Sequence, residues 1–94
     1  MKPEDRPEIL LEHFLGSLEE MGYRPATVSA WRGSLRRFFE FVQSQGVNSV
    51  HVPLELCLSF GKTLSKQGLR EEAVTRHENR MIAFYIWFIK RRRD

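Results

Sequence analysis

Two short sets of residues carry the chemistry that the 94-residue chain offers. Ser29, Arg32, Gly33 and Arg36 recur at intervals of about one helical turn, so a helix gathers them on one polar, basic face. Gly33 leaves a notch between the two arginines. Thr75, Arg76, Asn79, Arg80 and Ala83 form a second set with the same spacing. A guanidinium offers a planar fork of donors that fits a phosphate or the edge of a guanine, and an asparagine amide fits an adenine edge. Hydroxyls near a helix N-terminus suit phosphate oxygens. The chemistry is recognition of a polyanion.

Bond-making chemistry has no comparable constellation. His13, His51 and His77 lie in separate segments without HExxH or CxxC spacing, so no metal site is expected. His77 falls on an apolar helical face and reads as a core or boundary residue. The one cysteine, Cys57, stands among Leu54, Leu56, Leu58 and Phe60 and reads as apolar filler; it excludes an internal disulfide. The glycines are single, and none builds a phosphate-cradling loop. The acidic residues sit mostly on the outer face of the first helix, where solvation explains them. No enzyme activity, cofactor or small-molecule substrate is expected of these residues.

Charge is sorted along the chain. Residues 1–22 hold two basic and six acidic side chains, residues 23–46 four and one, residues 47–69 two and one, and residues 70–94 seven and four. The net +3 therefore hides an acidic first quarter and basic second and fourth quarters, an imbalance that attracts polyanions.

Those basic sets need elements to hold them. Gly22, Gly46 and Gly68 each follow a stretch of helical periodicity and suit the left-handed position just past a helix end. The expectation is a single all-α domain, a compact bundle of four helices. The first runs from Pro7 to Met21 with Leu10, Leu11, Phe14, Leu15, Leu18 and Met21 inward. The second runs from Pro25 to Gln45 with Val28, Trp31, Leu35, Phe38, Phe39 and Val42 inward. The third runs from Pro53 to Gln67 with Leu54, Cys57, Leu58, Phe60, Gly61 and Leu64 largely inward. The fourth runs from Glu71 or Glu72 to Arg91 on a stripe of Val74, His77, Met81, Phe84, Tyr85 and Phe88. Ile86 and Trp87 point off that stripe, toward core or partner. Val47 to Val52 reads as an extended connection. The longest apolar run, Met81 to Ile89, is nine residues, about half a membrane span. Residues 1 to 8 are polar, so no signal peptide is expected, and the chain is expected in the cytoplasm.

The order of these motifs resembles the core-binding, SAM-like N-terminal domain of the tyrosine recombinases, the phage integrase and Xer-type family. The residues that carry it are EEMGYRPAT at the end of the first helix, Thr27 with Trp31, and L-x-x-F-F-x-F over Leu35 to Phe41. They continue with VNSVHV, GLREEAVTRHENR, and A-F-Y-x-W-F over Ala83 to Phe88. The likeness spans about Ile9 to Arg92. It implies one core-binding domain over residues 1–94, with an ordered core of about 7–92, that closes on double-stranded DNA opposite a catalytic domain of the same parent chain.

The resemblance further implies that the second and fourth helices meet the DNA through Thr27, Ser29, Arg32, Arg36, Thr75, Arg76, Asn79 and Arg80. The implied role is DNA integration or recombination, with other recombinase protomers as further partners. Arg32→Ala and Arg80→Ala are each expected to weaken duplex binding and leave stability nearly unchanged. Two positions depart from the family pattern: Ala73 stands where a hydroxyl is common, and Glu78 where leucine is usual. The family's catalytic arginines, lysine, His-x-x-Arg and tyrosine have no counterpart here, and neither Tyr23 nor Tyr85 is placed as a nucleophile. A helical protein-interaction module with solvated basic faces is the competing expectation.

Overall fold

The computed structural model describes residues 6–93, with the side chain of residue 93 left aside. Glu4 and Asp5, which contribute to the acidic first quarter, lie outside the described residues. Four helices follow in order: α1 Pro7–Glu20, α2 Pro25–Ser44, α3 Leu54–Lys66 and α4 Glu71–Arg93. Each expected helix is present, and the ends agree to within about two residues. Proline opens α1 and α2, where its missing N–H breaks no helical bond and its fixed φ is already helical.

The three glycines close the first three helices in one way. Gly22, Gly46 and Gly68 have φ of 91°, 86° and 93°, a region that a Cβ disfavours. The next residue then donates its N–H back across the turn: Tyr23 to Leu18 at 3.1 Å, Val47 to Val42 at 3.0 Å, and Leu69 to Leu64 at 3.2 Å. This 6→1 bond satisfies a helix-end carbonyl and reverses the chain. Val47 and Leu69 then fold onto the core.

α4 is the centre of the packing. Phe84 is fully buried and meets Phe14 of α1 edge-on at 5.5 Å and Phe39 of α2 at 5.5 Å. Phe38 of α2 meets Phe60 of α3 at 5.1 Å, so aromatic edges lock α3 to the same core. The connection over residues 47–52 is extended, as expected, and buries Val50. Its carbonyl accepts a 2.8 Å bond from the Tyr85 hydroxyl. Burial pushes that phenol well above its ordinary range, which keeps it a donor.

The packing corrects several expectations. Met21, Leu54 and Leu58 are not inward; they are 65%, 69% and 64% exposed. Met21 stands beyond the last turn of α1, where the chain already reverses. Leu54 and Leu58 occupy a flank of α3 that no element covers. Cys57 is only half-buried, and burial raises its thiol pKa, which leaves little thiolate. Trp87 joins the core beside Phe14 and Phe84, whereas Ile86 faces outward.

Candidate nucleic-acid interface

The two basic sets meet where α2 packs on α4, but not as mirror-image stripes. Arg80 leaves α4 and reaches α2, donating from Nη1 to the Ser34 hydroxyl at 2.9 Å and to the Ala30 carbonyl at 3.3 Å. Its guanidinium lies 5.6 Å over the Trp31 ring. Burial first, and Arg76 second, lower the Arg80 pKa from its ordinary value, and the group remains a cation at neutral pH.

Ser34 is the buried polar residue at the centre of this seam. Its oxygen lies 2.6 Å from His77 Nδ1. Arg80 can only donate, so Ser34 accepts from it, and in the neutral tautomer protonated on Nε2 the Ser34 hydroxyl donates to Nδ1. The charge environment agrees: burial holds the His77 pKa below 6.5, reinforced by Arg37, Arg80 and Arg76. Three arginines from two helices therefore surround one neutral histidine.

The eight residues implied by the resemblance separate in space. Arg76 and Arg80 belong to the seam. Arg32 sits on the other flank of α2, where its Nη2 meets Glu12 Oε1 of α1 at 2.7 Å. Its pKa rises chiefly through that bond. Arg36 is exposed between the α1–α2 and α2–α3 grooves. Thr27, Ser29 and Thr75 are exposed, and Asn79 stands at the rim of a groove between α3 and α4. Among the described residues Arg32–Glu12 is the one ion pair, so Arg36, Arg37 and Arg76 make no direct ion pair there, and Glu40 shares a groove with Arg36 and Arg37.

Arg37, Ser34 and the polar role of His77 escaped the sequence. Arg37 is one step from Arg36 and so falls about 100° around the helix, off the face that spacing picked out. A signal existed: Ser34 interrupts an otherwise apolar flank, with Arg37 three residues on.

Toward the end of α4, Arg91 and Arg92 stay exposed but lie along neighbouring rings. Arg91 lies 2.8 Å from His13 Nδ1 and 5.3 Å over Trp87, and Arg92 lies 5.6 Å over Phe88. Among the described residues no cluster of His, Cys, Asp or Glu could hold a metal ion, and no helix is long and apolar enough to cross a membrane. No family model, curated protein or solved structure matches the chain.

Proposed function

We propose that the chain is a non-catalytic module that binds double-stranded DNA, of the kind that positions a tyrosine recombinase on its site in the cytoplasm. The observation that carries this is the arginine cluster at the α2–α4 seam, where Arg37, Arg76 and a pre-placed Arg80 converge on His77 without a direct ion pair among the described residues. A solvated surface has no need to gather like charges from two helices, since their repulsion destabilises the fold. A phosphate backbone supplies the missing counter-charge. The motif order described above supports the recombinase assignment and adds Ser29, Arg36 and the exposed hydroxyls of Thr27 and Thr75 as flanking phosphate contacts.

Within this assignment most contacts fix position along the backbone, and Asn79 is the residue suited to a base edge. Catalysis belongs to a separate domain of the parent protein.

The test is fluorescence anisotropy with a labelled duplex at two salt concentrations. With about four phosphates neutralised, affinity falls by about two orders of magnitude between 50 and 200 mM salt. Arg37→Ala/Arg76→Ala lowers the slope of log K against log salt by about 1.8. Both substitutions lie on exposed positions and leave the fold intact. Equal affinity of the variant and the wild type at low salt removes the proposal.

A further inference from the structure

α1 carries a row of acids on one side. Glu8, Glu12 and Glu19 follow one another by four and seven residues, so they fall within about 40° of each other around the helix. All three are exposed. The row borders α2 and runs beside Arg32 and Arg36, whose spacing of four puts them on one flank. Two open hollows lie along the crease between the helices. Glu19 and Arg32 line one, and Glu8, Glu12, Glu40 and Arg36 line the other. Four carboxylates therefore stand beside two guanidiniums.

This crease is the electrostatic opposite of the α2–α4 seam, where three arginines converge on a neutral histidine. One direct bridge crosses it: Arg32 Nη2 donates to Glu12 Oε1 at 2.7 Å. Glu19 adds its charge to the field on the same guanidinium. A carboxylate oxygen held on a guanidinium fork stands where a phosphate oxygen would, with the same sign of charge and the same acceptor geometry. Arg32 thus has an internal occupant, whereas Arg37 and Arg76 have no ion-pair partner among the described residues.

Resting on the duplex-binding reading above, we propose that the Glu12–Arg32 bridge is an autoinhibitory contact, in which the acidic row of α1 supplies a built-in competitor that a DNA phosphate must displace from Arg32. Binding is then ordered. The open arginines of the seam engage the duplex first, and Arg32 joins when a further phosphate reaches the crease. The gate discriminates between ligands. A free phosphate ion offers Arg32 little that Glu12 does not already give, while a duplex held at the seam brings its next phosphates to the crease at high local concentration. Both ends of the bridge are solvent-accessible, so the exchange needs no unfolding. An exposed pair of this kind holds its partner by a factor of about two to five.

A double-mutant cycle read by fluorescence anisotropy, with the labelled duplex at about 50 mM salt, tests this. Glu12→Gln keeps the shape of the side chain and removes its charge, and it is expected to tighten binding about two- to fivefold. In an Arg32→Ala background the same substitution is expected to change nothing, because no guanidinium is left to release. Glu55→Gln, at an exposed position of α3, removes the same charge far from the crease and is expected to leave affinity unchanged. Three results each overturn the gate: no gain from Glu12→Gln, a gain that persists without Arg32, or an equal gain from Glu55→Gln. If Arg37→Ala/Arg76→Ala still lowers affinity in that case, the duplex-binding reading stands and only the gate falls. Duplex affinity that neither the seam nor the crease substitutions change removes both.

Discussion

Arg80 shows why a basic residue at the right spacing is not automatically a free one. Its guanidinium is committed to Ser34, Ala30 and the Trp31 ring, so it serves the fold before it serves a ligand. Arg80→Ala leaves the buried Ser34 short of a donor and is expected to cost about 1–2 kcal/mol in chemical denaturation. Arg76→Ala, at an exposed position, should stay within about 0.5 kcal/mol. The expectation that Arg80 could be removed without loss of stability is thereby revised. Arg32 differs: its bridge to Glu12 is solvent-exposed and contributes little to stability, and it partly offsets the positive charge that the proposed DNA contact would use.

His77 makes the seam sensitive to pH. Its folded pKa lies below the unfolded value of 6.5 because of burial and of Arg37, Arg80 and Arg76. Below pH 6.5 the unfolded chain takes up this proton first. Stability is therefore complete above that pH and falls as pH drops from 6.5 through the folded value. His77→Asn, whose amide oxygen can still accept from Ser34, should flatten that part of the thermal-melt profile. A profile unchanged by the substitution would place the acid sensitivity elsewhere.

At the scale of the element, the question is why α2 keeps a glycine in an exposed interior turn. A Cβ at Gly33 would meet nothing within 4 Å, and the same holds for Gly16 in α1. Alanine at either site should raise stability by about 0.5–1 kcal/mol in thermal or urea melts. The two diverge in binding. Gly33 lies between Arg32 and Arg36, so on the proposed DNA reading a methyl there would hinder a phosphate backbone, and Gly33→Ala should weaken duplex affinity where Gly16→Ala does not. Nothing in the fold explains Gly16. Gly61 is the contrasting case: a Cβ there runs into the Glu78 side chain, so this glycine serves the α3–α4 contact.

Across the whole molecule, one aromatic residue ties the layers together. Phe84 contacts rings from α1, α2 and its own helix, and no solvent reaches it. Phe84→Ala is expected to cost about 3–5 kcal/mol. In a domain of this size that is a large share of the total, and equilibrium denaturation should show a strongly lowered midpoint or no folded baseline. The slab measures 36 × 33 × 18 Å, thin enough to keep separate chemistries on separate faces. The arginine seam follows α2 and α4, and the acid-lined crease follows α1 and α2.

How much of this was legible in the residues differs from part to part, and the reason is physical. Helix number, order and ends were readable because they depend on local signals: periodicity, proline at the first turn, glycine where φ must be positive. The stripe from Val28 to Val42 was readable because a helix buries one side whatever lies opposite. Which flank of a stripe is covered depends on the neighbouring helix, so Leu54 and Leu58 looked like core and are surface. The same limit hid the site. Spacing placed Ser29, Arg32, Gly33 and Arg36 on one face, but the seam is made by Arg37, Ser34, His77, Arg76 and Arg80, which come from positions 40 residues apart. By itself the sequence determined four amphipathic helices and their basic and acidic quarters. Only the tertiary structure decided which charges stand together and which are paired away, because that depends on the angle at which one helix presents its flank to another.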